Sequence, residues 1–255
     1  MMLNRDIYQE IDAFAPFATQ LKFDNAGFLA GDPEAPVERA GICLDITHDT
    51  VKEALALGCT LLISHHPVIF DPLRALLPES VLYRMARNGL SAICAHTNLD
   101  ACEGGVNDAL AECLGLRDVE TFADPENPGA PPIGRVGRID PVSPAQLAAR
   151  VKTAVGCGSI RFTCPRAEVG RLAVCGGAGD DLIAAAAQTG ADAFLTSEIK
   201  QHEWLAASAM GLCLYDAGHF STEAVVLPPL KERLKAAFPE VSFHLLSEKE
   251  PYLTI

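Results

Sequence analysis

Ser64-His65-His66-Pro67 is the segment with the most chemical content. Two adjacent histidines close the apolar run Cys59–Ser64, and a proline, which cannot donate to a sheet ladder, ends it at once. Strand ends in α/β proteins face the ligand crevice. Side-chain alternation breaks there, so neighbouring imidazoles can reach two points of one cleft. Histidine is the commonest metal ligand, and a polar surface turn is the plainer alternative. His96-Thr-Asn-Leu-Asp100 follows the next apolar run, Leu90–Ala95, in the same way. Asp100 suits a divalent cation at about 2.0–2.2 Å, or the cap of a helix opening near Gly105. His96 suits a ligand or a group that orients one. A third cluster, Ala217-Gly-His-Phe-Ser-Thr-Glu223, again follows an apolar run. His219 and Glu223, four apart, share one helix face, and Gly218 permits close backbone approach. A capping box with Glu223 as reciprocal acceptor is the alternative there.

Pooled, three or four histidines and two carboxylates are too many for one zinc. They suit two divalent ions roughly 3.5–4 Å apart with a bridging carboxylate. Imidazole with carboxylate accommodates zinc, iron, manganese, cobalt or nickel, and no thiolate need take part. His48 and His244 read as surface or satisfied core groups. In Thr196-Ser-Glu-Ile-Lys-Gln-His-Glu203, a further strand-to-helix turn carries Glu198, Lys200 and His202, which could hold substrate or move protons; a charged helix start is the bland alternative. Cys175-Gly-Gly-Ala-Gly-Asp180 could cradle an anion. It lacks the Lys-Ser/Thr of a phosphate loop, so a tight turn is expected.

These residues need strands and helices to place them. Leu3, Ile7, Ile11, Phe14 and Phe17 recur at helical spacing, followed by a polar, Gly-rich loop from Phe23 to Gly31. Strands are expected at 40–46, 59–64 and 90–95, alternating with helices at 47–57, 80–88 and 106–114. That alternation implies βαβ units and a largely parallel sheet. Residues 123–132 hold four prolines and a glycine, which excludes a helix or inner strand. A lobe boundary is placed there, giving an N-terminal α/β lobe over 1–125 and a C-terminal one over 133–255. In the second lobe, strands are expected at 134–139, 159–164, 171–175, 193–196, 212–215 and 241–245. Helices are expected at 143–155, 180–190 and 201–210, with a longer one over 222–238 bent at Pro228-Pro229. The last helix and strand can pack back on the first lobe. The fold class is α/β, with largely parallel or mixed sheets.

The 255 residues carry 20 Lys+Arg against 33 Asp+Glu, a formal charge of −13. A nucleic-acid backbone and an anionic membrane surface are therefore unsuitable partners, whereas a metal can reverse the field locally for a small anionic ligand. The nine cysteines are odd in number and contain no Cys-x-x-Cys spacing. They read as reduced thiols of a cytoplasmic protein. The N-terminus has no signal-peptide pattern, and no run approaches the ~20 apolar residues of a membrane span.

Asp24-Asn25-Ala26-Gly27, Ser64-His65-His66-Pro67, His96-Thr97-Asn98-Leu99-Asp100, Gly105-Val106-Asn107-Asp108 and Gly218-His219-Phe220-Ser221-Thr222-Glu223 occur in this order. Together they resemble the Nif3-like family, whose bacterial members are often labelled GTP cyclohydrolase I type II homologues. The length resembles the short form, without the domain inserted in longer members. Two departures from the family pattern stand out. Ala26 and Phe28 replace the usual Val and Leu of the Asp-Asn loop, and Gln201-His202 stands where paired histidines are frequent.

The resemblance implies two α/β lobes with a dinuclear metal site in the cleft between them. His66 and Asp100 would bind one ion, His65 and His219 the other, and Glu223 would bridge both, with His96 beside the site. It also implies a toroidal homohexamer. The function expected is a metal-dependent hydrolase acting on a small molecule, with ring-opening hydrolysis of GTP as the case the label suggests. Glu198, Lys200 or His202 would then protonate leaving nitrogens or hold the triphosphate. A dinuclear phosphatase or phosphodiesterase, and a non-catalytic metal-binding regulatory protein, are the alternatives.

Overall fold

The structure, a computed structural model, describes residues 1–253. It is a mixed α/β fold with two sheets, and the chain divides into two compact units. The first comprises Met1–Glu103 with Leu227–Lys249. The second comprises Gly104–Val226 with the described residues from Glu250 onward.

In the first unit, α1 (Asn4–Phe14) buries Ile7 and Ile11 on one face, as the spacing demands. It stops before Pro16, because a residue preceding proline is pushed out of the helical region. Phe17–Thr19 then makes a single 3-10 turn. β1 (Gly27–Ala30) and β2 (Arg39–Cys43) follow. α2 (His48–Ala56) is capped by Thr47, whose hydroxyl accepts from the Thr50 N–H. β3 (Leu61–Ser64), α3 (Val81–Arg87), β4 (Ser91–Cys94) and α4 (Thr97–Ala101) complete this stretch. β3 and β4 are buried throughout, which suits strands covered on both faces.

The second unit holds α5 (Val106–Cys113), β5 (Arg117–Phe122), β6 (Gly134–Val142), α6 (Pro144–Val155), β7 (Arg161–Phe162) and β8 (Val169–Ala178). It continues with α7 (Ile183–Gln188), β9 (Ala193–Ser197), α8 (Gln201–Ala209), β10 (Cys213–Asp216) and α9 (His219–Glu223). Its sheet runs β5-β6-β8-β9-β10-β7. β8, β9 and β10 are parallel, whereas the β5–β6, β6–β8 and β10–β7 pairs are antiparallel. Apolar residues pack on both faces of this sheet. Cys213 and Tyr215 lie on one face, and Phe194 and Leu214 on the other.

The chain then re-enters the first unit with α10 (Leu227–Ala237) and β11 (Ser242–Leu245). β11 joins β2 in parallel and completes a sheet of order β1-β4-β3-β2-β11, in which only β1 is antiparallel. Among the described residues, no helix is long and apolar enough to cross a membrane.

Four expectations change. The stretch Phe23–Gly31, read as loop, contains the edge strand β1. The long helix over 222–238 is two helices with a 3-10 turn at Ala224–Val226 between them, and Pro228 and Pro229 sit in the first turn of α10. Proline is tolerated in a first turn because those N–H groups lack helical partners anyway. The Gly-rich segment after Cys175 is not a separate turn but the end of β8. Finally, the units part at Glu103/Gly104 rather than in the proline cluster. Residues 123–132 connect β5 to β6 as the loop of an antiparallel pair in which Phe122 faces Gly134. A Cβ on Gly134 would stand 2.3 Å from the Phe122 ring, so the absence of a side chain there lets the two strands meet.

Candidate metal centre

Each unit carries one set of candidate ligands. In the first, β2, β3 and β4 are parallel and in register, with Cys43 opposite Ser64 and Ser64 opposite Cys94. The residues just past these positions therefore emerge at one edge. The ladder continues through His65 N–H to Cys43 O (3.1 Å), His66 N–H to Leu44 O (2.9 Å) and Ala95 N–H to Ser64 O (2.9 Å). Asp45, His65, His66 and His96 are thus neighbours because the strands that precede them are.

The hydrogen bonds of these imidazoles share one pattern. His65, almost fully buried, places Nδ1 2.9 Å from Ala95 O. A carbonyl only accepts, so Nδ1 carries a proton, which in the neutral ring leaves the lone pair on Nε2. His66 Nδ1 lies 2.9 Å from Asp45 Oδ1, and His96 Nδ1 2.7 Å from Asp24 Oδ1. Ring nitrogens of His65, His66 and His96 lie within 4.8 Å of one another, and His65 Nε2 stands 3.6 Å from Asp100 Oδ1. Asp100 belongs to α4, and the N-cap of α5 is Gly105 without a side-chain cap. Asp100 is therefore not the helix cap that spacing alone also allowed.

Two carboxylates hold this edge together. Burial by itself pushes the Asp24 carboxyl up. Hydrogen bonds from the His96 ring and from the Thr97 hydroxyl and N–H outweigh it and hold the group at about 2. Glu248, brought by the returning chain, accepts the backbone N–H groups of Leu44 and Asp45 at 2.7 and 2.8 Å. It thereby fixes the turn that presents Asp45 to His66.

In the second unit, β10 leads through Gly218, at φ +87°, into α9. His219 Nε2 lies 3.1 Å from Glu223 Oε2, the i,i+4 arrangement read from the sequence. Glu223 is buried at the last position of α9, so it is not the acceptor of a capping box. His219 Nδ1 stands 2.8 Å from Glu198 Oε1. Glu198 adopts φ +59°, a left-handed backbone uncommon outside glycine.

Gly177, read from sequence only as part of a Gly-rich turn that could cradle an anion, lies against the candidate ligands. A Cβ on it would stand 2.1 Å from Glu223 Oε1 and 3.1 Å from His219 Nε2. Its carbonyl accepts the Thr196 and Ser197 hydroxyls at 3.1 and 2.5 Å, and its N–H donates to Thr222 Oγ1 at 3.0 Å. The bare Gly177 backbone is thus the wall against which Glu223 rests.

Of the three groups expected to do acid–base or phosphate work, only Glu198 touches a candidate ligand. Lys200 pairs with Asp180 and Glu203, and these carboxylates raise its pKa by hydrogen bonding. His202 is largely exposed, with Nε2 3.7 Å from Glu203. Both lie at the start of α8. The protein therefore has histidine and carboxylate groups suited to holding a metal, and the Nδ1 of each of the four histidines meets an oxygen that orients the ring.

The family described as Duf34/NIF3 (NGG1p interacting factor 3) matches residues 2–251. A Lactococcus lactis protein named GTP cyclohydrolase 1 type 2 homolog is 33% identical over 229 residues, covering 87% of each chain. A Methanocaldococcus jannaschii protein of the same name is 31% identical over 243 residues, 92% of this chain and 96% of its own. Among solved structures, a Bacillus cereus protein related to NIF3 superposes with a TM-score of 0.92 at 21% identity, over 100% of this chain and 99% of its own. Reduced HcgD from Methanocaldococcus jannaschii gives 0.82 at 29% identity, over 97% and 98%.

Proposed function

Because the chain belongs to the Duf34/NIF3 family, we propose that it is a divalent-metal-dependent hydrolase with a dinuclear centre, acting on a small nucleotide-like substrate. One observation carries this reading. His65, His66, His96 and His219 are each held through Nδ1 by an oxygen. That arrangement fixes the tautomer that offers Nε2 to a metal and raises ligand basicity. In this reading His66 and Asp100 would hold one ion and His65 and His219 the other, with Glu223 shared between them and His96 beside the site.

When bound, a pair of divalent ions supplies acidified water near neutral pH and stabilises developing negative charge. The chain does the rest. Ala95, Asp45 and Glu198 keep the ring protons on Nδ1 of His65, His66 and His219. Gly177 leaves room for the Glu223 carboxylate. Lys200 and His202, exposed at the start of α8, are assigned to holding phosphate oxygens or delivering protons to leaving nitrogens. The divalent charge offsets the acidity of the chain, so that an anionic nucleotide is a suitable substrate. The relatives' name points to opening of the guanine imidazole ring of GTP by hydrolysis. We place the protein in the cytoplasm as a toroidal homohexamer, on family resemblance.

The test is metal analysis with parallel assays on GTP, nucleoside monophosphates and cyclic phosphodiesters, for the native chain and Glu223→Ala. Loss of both metal and hydrolysis in the variant is expected. Full activity in a metal-free Glu223→Ala protein sinks the proposal. Cleavage of phosphoesters instead of GTP moves it to a phosphatase or phosphodiesterase. No turnover by the metal-loaded native chain moves it to a regulatory role.

A further inference from the structure

Away from the candidate ligands, Cys164 lies two residues beyond the short edge strand β7, and Cys213 opens β10, the strand that β7 pairs with in the second unit. β7 and β10 are antiparallel, with Tyr215 opposite Phe162 and Asp216 opposite Arg161. The pairing runs on past the strand: the Thr163 N–H donates to Leu214 O at 3.0 Å, and the Leu214 N–H to the Thr163 hydroxyl at 3.0 Å. One more step in that register sets Cys164 opposite Cys213. Cys213 sends its own N–H the other way, to Asp192 O on the β9 side. Continued one step, the register makes the cysteines a non-hydrogen-bonded pair, a position where facing Cα atoms typically stand about 4.5 Å apart, within the span a disulfide needs.

Side-chain direction agrees. Phe162 and Tyr215, two residues along and on the same face, are stacked with ring centroids 5.6 Å apart at 6°. The two thiols also differ in access. Cys164 is exposed and Cys213 fully buried, and both are free thiols.

We propose that Cys164 and Cys213 are a redox modification site, forming a reversible cross-strand disulfide by exchange with a low-molecular-weight disulfide. The exposed Cys164 loses its proton and its sulfur attacks one sulfur of the small disulfide. That S–S bond breaks, a mixed disulfide forms on Cys164, and the departing thiolate takes up a proton. The Cys213 thiol then gives up its proton and attacks Cys164 Sγ, closing the protein disulfide and releasing the second small thiol. The protein loses two hydrogens, and one disulfide is reduced to two thiols. Burial raises the Cys213 pKa, which suits the second attack rather than the first.

The bridge would join the strand that opens on Arg161 to the strand that ends on Asp216, two residues that already form an ion pair. Asp216 Oδ1 in turn accepts the Gly218 N–H at 3.1 Å, at the entry to α9. Oxidation would therefore tie the edge strand to the segment that carries His219.

The experiment treats the full native chain with glutathione disulfide, blocks remaining thiols with iodoacetamide, and reads the intact mass and the peptide map. The expected product is lighter by two hydrogens before alkylation, carries two fewer alkyl groups, and yields one linked peptide pair containing Cys164 and Cys213. Dithiothreitol reverses it. Cys213→Ala is expected to stop at a stable glutathione adduct on Cys164. In the native chain, a lasting adduct on Cys164, a bridge to another cysteine, or unreacted Cys164 while exposed Cys113 is modified each overturns the proposal. Because the native chain gives the decisive reading, the outcome does not depend on how well the variant folds.

Discussion

Glu198 Oε1 stands 2.8 Å from Nδ1 of His219, and Glu198 holds a backbone φ of +59° in the turn that delivers it. A left-handed conformation at a residue with a Cβ costs roughly 1–2 kcal/mol. The surrounding turn sustains that strain at a residue whose carboxylate meets a candidate ligand. Glu198→Ala should weaken metal binding about 10–100-fold, the usual cost of losing a partner that orients a ligand. Glu198→Gly should weaken it equally while keeping or raising the thermal midpoint. Chelator competition and thermal melts on both variants separate the two effects. Native metal affinity in Glu198→Gly refutes the positioning role.

Gly177→Ala is expected to be costly for two reasons that can be divided. A positive φ of +65° strains any side chain, and the new Cβ would press on the Glu223 carboxylate. Gly190→Ala provides the comparison, since φ is +77° there and nothing lies within 4 Å of the added carbon. The strain shared by the two should lower stability by about 1–3 kcal/mol in urea denaturation. Only Gly177→Ala should also lower metal content. Equal metal content in the two variants would show that Gly177 does not shape the Glu223 position.

Metal removal should lower the thermal midpoint of the native chain and re-addition should restore it, because a ligand bound only by the folded state stabilises by mass action. Glu223→Ala should melt at the same temperature with and without metal. A native midpoint indifferent to chelation contradicts a resident metal.

Acid sensitivity should centre on Asp24. Its carboxyl titrates at about 2 in the folded protein against an ordinary 3.8. A depressed folded value means that the stabilisation is fully present above 3.8 and is lost as pH falls through 2. Asp24→Asn should be less stable than the native chain at pH 7, with the difference shrinking between pH 4 and pH 2. Parallel pH–stability curves for the two proteins contradict this.

Arg135 is buried and its guanidinium pairs with Asp108. Asp108→Ala should cost about 3 kcal/mol, because it removes the anion facing a buried cation. The carbonyls of Pro132, Ile133 and Gly134 remain as acceptors and keep the figure at the low end of that class. Urea denaturation of Asp108→Ala beside the native chain measures it.

The histidine clusters were legible because each signal is local. An apolar run ends, polar residues with lone pairs follow, and proline or glycine marks the turn. β3, β4 and β10 announce themselves in that way. β5 does not, since five of its six residues are exposed and apolar patterning is missing. β1 hides because it is a four-residue edge strand opening on glycine. What orients the site was illegible for another reason. Asp45 and His66 are 21 residues apart, Asp24 and His96 are 72 apart, and Glu248 and Leu44 are 204 apart. No spacing rule spans such distances, and only the sheet order brings these partners together. The proline cluster misled in the same sense, because it is locally a breaker and globally a loop between paired strands.

The discontinuity of the first unit sets the order in which it can fold during synthesis. Among the described residues β11 is the last strand in chain order, and it is the partner of β2, whose residues Ala40–Cys43 are buried. Until the ribosome has delivered Ser242–Leu245, β2 is an apolar edge with one side of its backbone unpaired. Such an edge invites pairing with another nascent chain. The stretch Gly104–Val226 of the second unit emerges first, so the first unit waits for β11 through the synthesis of everything between Glu103 and Leu227.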